Sequence, residues 1–193
     1  MNEGRETVRR KQIIQAAIEV FRQKGYHDAK IEEIALAAGI GKGTIYQYYR
    51  SKEELLDATL NHMMISFEKR FLDLVEHDTS FEEKMQTLIR ISVEQINHIQ
   101  PIIDLSMISL FAHFLLSQNT MKQYQKKWME RFSEFMVEGV ALGQLRPVDP
   151  ALFTLAVFGI IFNVCSPFNI SEKLDKPALV EEIVALIMQG VSS

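Results

Sequence analysis

The chain has 193 residues, of which 47% are hydrophobic and 24% charged, a balance typical of a globular protein with a substantial core. One cysteine excludes an internal disulfide, and a net charge of −4 excludes a protein that is basic throughout. Charge is uneven, however: residues 1–52 carry 10 Lys and Arg against 6 Asp and Glu, the remainder carries 11 against 19, and only the first segment suits a polyanion.

The compartment can be inferred from the same inventory. Cys165 lies in an apolar stretch, and a reducing cytoplasm is the simplest environment for a lone thiol. No apolar run of signal-peptide type follows the basic N-terminus. The most hydrophobic stretch, at 151–162, is too short to span a bilayer. We therefore predict a cytoplasmic protein with no membrane partner.

The first predicted helix covers residues 5–24 and ends at Gly25, with Tyr26 packing back on the next helical segment. Its buried stripe is predicted to be Ile13, Ala16, Ala17, Val20 and Phe21. Its start carries Arg5, Arg9, Arg10 and Lys11, where cations oppose the helix dipole. Two interpretations of this cluster remain open, namely an external anion that offsets the cost and a solvated basic face.

Residues 31–52 are predicted to form a helix-turn-helix. Apolar residues at helical spacing between Ile31 and Ala38 are interrupted by Gly39 and Gly41, and a second short helix follows. That helix has Ile45 as its aliphatic anchor and is expected to display Lys42, Thr44, Tyr46, Gln47, Tyr48, Tyr49 and Arg50. Donors of this kind reach phosphates and base edges, so the second helix is predicted to be a recognition helix.

The stretch closely resembles the DNA-binding signature of the TetR family of bacterial transcription regulators. The matching residues are Ile34, Ala35, Ala38, Gly39, Lys42, Gly43, Thr44, Ile45, Tyr46, Tyr49, Ser51, Lys52 and Glu53, and the resemblance extends upstream through 12–26. Lys30 stands where the family usually has Ser or Thr, and Gly41 where Ser is common. The expected DNA contacts are Lys30, Lys42, Gly43, Thr44, Tyr46, Gln47, Tyr48 and Lys52, with Gln47 suited to an adenine edge.

The rest of the chain reads as an all-α bundle. Helices are predicted at 51–77, 80–99, 101–117, 119–143, 149–165 and 177–190, with Ser51 and Ser80 as N-caps. We predict a DNA-binding domain at 1–50 and an effector-binding and dimerisation domain at 51–193. Catalytic motifs are absent and the histidines are scattered, so we expect neither an enzyme nor a metal or cofactor site.

Two further surfaces are predicted in this bundle. The resemblance implies an effector pocket for a small hydrophobic ligand. The residues expected to line it are Asp104, Met107, Phe111, Phe114, Trp128, Phe132, Phe158 and Phe162, although core packing is the default for each. The resemblance also implies a homodimer built from the last two helices. The expected interface is Phe158, Ile161, Leu179, Ile183, Leu186 and Ile187, unless these helices are buried against their own subunit.

The sequence therefore predicts a transcriptional regulator, a repressor released from a palindromic double-stranded operator by a small apolar effector. The alternative from another class is a helical ligand-binding or protein-interaction module that has lost DNA binding. Salt-insensitive binding to its partner and no retention of DNA would distinguish that module from the repressor.

Overall fold

The computed structural model describes residues 2–99, 101–102, 119–164 and 181–187. Its helices are α1 (Asn2–Asp28), α2 (Ile31–Ala37), α3 (Lys42–Tyr48), α4 (Lys52–Glu76), α5 (Phe81–Ile99), α6 (Asn119–Ala141) and α7 (Pro150–Val164). Residues 181–187 are also helical, and the described ranges contain no strand. The all-α prediction is confirmed. The helix predicted at 101–117 lies almost wholly outside the described residues.

The chain divides into two compact units, and two of the boundaries between them fall inside α4 and α5. The first unit comprises the described residues of Met1–Ser66 and His98–Ser117, and the second those of Phe67–Asn97 and Gln118–Ser193. The long helix α4 runs unbroken from Lys52 to Glu76 and so contributes to both units. The two units do not test the predicted domain boundary after residue 50, which stays a prediction.

The first unit is built around the apolar stripe of α1. All five predicted residues, Ile13, Ala16, Ala17, Val20 and Phe21, are buried. The stripe ends at Gly25, which has φ 74° and ψ 169°, values that a side chain would disfavour and that break the helical path. Tyr26 is thereby brought back against Phe21, with their ring centroids 5.9 Å apart. Ile102 is fully buried in the same unit.

The second unit has a core of phenylalanine rings. Phe81 stacks on Phe135 with centroids 4.6 Å apart, and Phe71 meets Phe135 edge-on at 6.3 Å. Phe132 is fully buried in the same cluster, 6.3 Å from Phe71. Ile183 and Ile187 also belong to this core. The aromatic content of these helices therefore serves packing within one chain.

Helix ends in this fold follow local rules. At the start of α5, Ser80 and Glu83 exchange hydrogen bonds as a capping box, with Glu83 N–H donating to Ser80 Oγ and Ser80 N–H to the Glu83 carboxylate. Asp149 accepts from the N–H of Leu152 at the start of α7, where Pro150 occupies the first turn. Gly143 ends α6 in a left-handed conformation with φ 69°.

One glycine in the second unit is required by close packing. A Cβ built on Gly139 would lie 2.5 Å from Cε2 of Phe81, whose ring is buried and stacked on Phe135. We expect Gly139→Ala to lower the free energy of unfolding by about 1–3 kcal/mol through overpacking, despite the better helix propensity of alanine.

Chemical denaturation of the single variant and of a double variant measures this effect. The matched background is Phe81→Leu, in which the smaller side chain leaves room for the methyl group. Gly139→Ala should cost less there than in the wild type. An equal cost in both backgrounds would show that the Phe81 ring is not the obstacle.

Candidate nucleic-acid interface

Backbone hydrogen bonds close the turn between α2 and α3. Gly39 adopts φ 64°, and the N–H groups of Gly39 and Ile40 donate to Leu36 O and Ala35 O, the paired bonds of a Schellman motif. Gly41 then provides an extended residue before α3. A glycine is needed at position 39 because its backbone is left-handed, which explains why the interruption was visible in the sequence.

Helix α3 turns one face into the first unit and the other to solvent. Ile45 is fully buried, while Tyr46 is 45% exposed and Gln47 is exposed. Thr44 and Tyr48 are half-buried, and Gly43 is exposed, with open space for 4 Å around the point where a Cβ would lie. The prediction that α3 displays Tyr49 to solvent is wrong. Tyr49 is buried, because it ends the helix in an extended conformation on the core side.

Lys42, the first residue of α3, is paired within the protein. Its ammonium lies 2.5 Å from a carboxylate oxygen of Glu32 on α2 and 5.8 Å from the centroid of the Tyr46 ring. The lysine lowers the pKa of Glu32, and the carboxylate raises the pKa of Lys42. Because both side chains are exposed, the pair contributes little to stability and can exchange for a phosphate.

Lys52 and Tyr26 connect the start of α4 to the end of α1. The Lys52 ammonium donates to the carbonyl of His27 at 3.0 Å and lies 4.6 Å from the centroid of the Tyr26 ring. The Tyr26 hydroxyl donates to Glu53 at 2.9 Å. Burial, followed by this carboxylate, raises the pKa of Tyr26, and burial lowers the pKa of Lys52. The Lys52 ammonium, which is predicted to contact a phosphate, therefore already has one hydrogen-bond partner within the protein.

Arg10 of α1 lies against the end of α3. Its guanidinium carbon is 5.3 Å from the ring centroid of Tyr48 and 5.9 Å from that of Tyr49. Its Nε and one terminal nitrogen donate to Glu6 at 3.3 Å and 3.1 Å, and the carboxylate raises the pKa of the guanidinium. Sequence reasoning placed Arg10 in a basic cluster but missed these rings, since only the spacing of Glu6 and Arg10 was visible.

Lys30 precedes α2 with an exposed side chain. Its backbone N–H donates to the Glu33 carboxylate at 3.1 Å, so the side chain is not used as a cap. Glu33 also pairs with Lys24 at 2.6 Å, and these contacts lower the pKa of Glu33. Lys24, Lys30, Lys42 and Lys52 thus all lie in the first unit, in the part of the chain with net positive charge.

The predicted pocket lining is only partly described. Asp104, Met107, Phe111 and Phe114 lie outside the described residues, as do the side chains of Trp128, Phe158 and Phe162. Phe132 is placed in the closed aromatic core of the second unit. Among the described residues, no group of His, Cys, Asp and Glu has the arrangement of a metal site.

The predicted dimer surface needs a correction. Ile183 and Ile187 are each 4% exposed in the single chain, because they complete its own core, so their side chains are not available to a partner. Leu186 is 63% exposed. On α7, Thr154 and Val157 are buried, while Leu152 and Leu155 are more than 60% exposed. Leu179 and the side chains of Phe158 and Ile161 are not among the described residues.

A comparison with known protein families matches the segment that contains α2 and α3. The sequence model of the bacterial regulatory proteins of the tetR family matches residues 13–59, which run from within α1 to the first turns of α4. Residues 13–59 therefore carry the DNA-binding segment of the TetR family. The chain is a DNA-binding transcriptional regulator whose helix-turn-helix comprises α2 and α3.

Known regulators match this chain over most of their own length. A solved TetR/AcrR-family regulator from Thermobifida fusca shares 29% identity with a TM-score of 0.75, covering 94% of this chain and 97% of its own. The fatty acid metabolism regulator protein of Bacillus subtilis (strain 168) is 25% identical over 93% of this chain and 94% of its own. The transcriptional repressor KstR2 of Mycobacterium tuberculosis is 27% identical over 70% of each chain.

No helix in the described part of this regulator is both long enough and apolar enough to cross a membrane.

Proposed function

We propose that this regulator is a homodimeric, cytoplasmic repressor that inserts α3 into the major groove of a palindromic operator and is released by a small apolar effector. The observation that carries the proposal is the solvent face of α3. Tyr46 and Gln47 are exposed beside an open Gly43, on a helix that Ile45 anchors to the core. A recognition helix needs this combination of a fixed inner face and a polar outer face.

Individual roles in DNA binding follow from the chemistry of the exposed groups. Lys30, Lys42 and Lys52 supply positive charge for phosphates, while Thr44, Tyr46 and Tyr48 supply hydroxyl donors. Gly43 has no side chain, so a phosphate backbone can approach α3 there. The Gln47 amide can pair with both N6 and N7 of adenine, which makes it the strongest candidate for reading sequence.

The domain assignment is part of the same proposal. Residues 1–50 bind DNA, and residues 51–193 bind the effector and form the dimer. The absence of a catalytic role is also proposed, on the ground that the related proteins are transcription regulators. We propose an effector pocket lined by Asp104, Met107, Phe111, Phe114, Trp128, Phe132, Phe158 and Phe162, as the sequence predicts.

A fatty acid or a derivative of one is the effector class that we propose to test first. The Bacillus subtilis relative is named as a regulator of fatty acid metabolism, and its match covers nearly the full length of both chains. Repression rather than activation is supported by the name of the Mycobacterium tuberculosis relative. A long alkyl chain also suits a site lined by methionine and aromatic side chains, which adapt to apolar ligands.

Selection of bound fragments from a random-sequence duplex library tests the proposal directly. The full-length protein should enrich a palindrome, and its affinity for that duplex should fall steeply with salt. A protein that enriches no duplex would instead favour the ligand-binding or protein-interaction module without DNA binding.

Removing the Lys52 charge should reduce the electrostatic part of DNA binding. Lys52→Met keeps an unbranched aliphatic side chain but removes the ammonium, so the salt slope should fall by about 0.9 for one lost phosphate contact. Affinity should drop on the selected and on unrelated duplexes alike, since a phosphate contact carries no sequence information. Lys69→Met, an exposed lysine on the same helix, is the matched control and should leave the slope unchanged. An unchanged slope for Lys52→Met would assign its ammonium solely to the His27 carbonyl.

A further inference from the structure

The C-terminal turn of the recognition helix depends on contacts from outside the helix. At seven residues, α3 is too short to be stable alone, so its geometry is set by tertiary packing. Ile45 anchors its middle. At its end, the N–H of Tyr49 still donates to Ile45 O, but Tyr49 itself leaves the helix in an extended conformation.

Arg10 supplies such a contact from α1. Tyr49 is buried and provides a fixed ring on one side of the guanidinium, and Tyr48 lies against the same group. Two hydrogen bonds from Arg10 to Glu6, one turn earlier on α1, set the direction of the guanidinium plane. A planar cation that pairs with a carboxylate and stacks on aromatic rings is a role that arginine fills and lysine does not.

We propose that Arg10 is a positioning residue for DNA recognition, which holds Tyr48 and the last turn of α3 in the orientation that the groove requires. This inference rests on the proposed contact of α3 with DNA. Arg10 lies in the basic N-terminal cluster, yet its charge is already directed at Glu6 and at two rings. Its contribution to binding is therefore made through Tyr48 and not through a phosphate.

The test compares variants that separate charge from stacking. The probe is the duplex that the wild-type full-length protein enriches from a random-sequence library. Arg10→Lys keeps the charge, Arg10→Met removes charge and plane, and Arg9→Lys is the matched control, because Arg9 bonds to Gln12 rather than to a ring. Arg10→Lys and Arg10→Met should each weaken binding about fivefold to tenfold, as expected for the loss of cation–π contacts at a partly exposed site.

The salt slope and a double-mutant cycle decide how Arg10 acts. Both Arg10 variants should keep the wild-type slope, and Arg9→Lys should bind like the wild type. In a Tyr48→Leu background, Arg10→Met should weaken binding by less than about twofold, because the ring that it positions is already gone.

Three results would overturn the inference. One is wild-type affinity for Arg10→Lys, together with a slope reduced by about 0.9 for Arg10→Met, which would make Arg10 a phosphate contact. Another is an equal cost of Arg10→Met with and without the Tyr48 ring, and the third is full affinity in both Arg10 variants. Should Arg10→Met fail to fold, the comparison of Arg10→Lys with Arg9→Lys still decides. A wild-type protein that enriches no duplex would instead refute the proposed function, and the inference with it.

Discussion

Leu155→Glu is expected to separate the subunits and to lower operator affinity by about 100-fold or more. Leu155 and Leu152 lie one turn apart on α7, both more than 60% exposed, while Thr154 and Val157 face the core. We propose that the partner subunit covers these two leucines of α7, so a carboxylate there would be desolvated without a counter-charge. A dimer with two DNA-binding domains binds its operator about 10²–10⁴ more tightly than one domain does, and monomers lose that avidity.

Light scattering and binding titrations on the same samples measure this effect. Leu142→Glu is the matched control, because Leu142 is 61% exposed at the end of α6 and lies outside the proposed interface, so this variant should stay dimeric. Ile183→Glu should behave differently from both, since Ile183 belongs to the core of its own chain and its replacement should unfold the second unit. A dimeric Leu155→Glu protein would place the interface elsewhere.

The effector and the operator are expected to weaken each other's binding by the same factor, about 5-fold to 150-fold. A helix-turn-helix dimer must present its two recognition helices about 34 Å apart to meet successive major grooves. The helix α4 is unbroken and contributes residues to both units. A ligand that shifts the C-terminal end of α4 can therefore change the spacing of the recognition helices. Release requires the ligand to prefer the form that does not fit DNA.

Calorimetry with saturated fatty acids of graded length, and with their coenzyme A thioesters, measures this coupling. Ligand affinity is determined for the free protein, with the selected duplex and with a shuffled duplex of the same composition. The selected duplex should reduce ligand affinity, and the shuffled duplex should leave it unchanged. Equal affinities with and without the selected duplex would mean that the ligand, even if bound, does not drive release.

Local rules account for the parts of the fold that were predictable. The stripe of α1 could be identified because apolar residues repeat at the helical period, and all five members are buried. Gly39 and Gly143 marked helix ends because left-handed backbone favours glycine. Ser80 and Glu83 marked the start of α5 because a capping box needs only residues three apart.

Partners distant in the chain account for what was missed at the interface. Lys42 meets Glu32 and Lys52 meets His27, contacts that span 10 and 25 residues. Arg10 contacts Tyr48, although all of α2 lies between these two residues in the sequence. A side chain's type shows what it can bind, but its partner is chosen by the packing of helices that are remote in sequence.

The sequence by itself determined the helical class, the helix-turn-helix and the positive charge of the first segment, because each depends on composition or on neighbours within a few residues. Only the tertiary structure decided which apolar faces are already covered. Tyr49 is buried beside an exposed Tyr46, and Ile183 and Ile187 are buried beside an exposed Leu186. Helical periodicity shows that a face is apolar, and the folded chain decides whether its own core or a partner covers it.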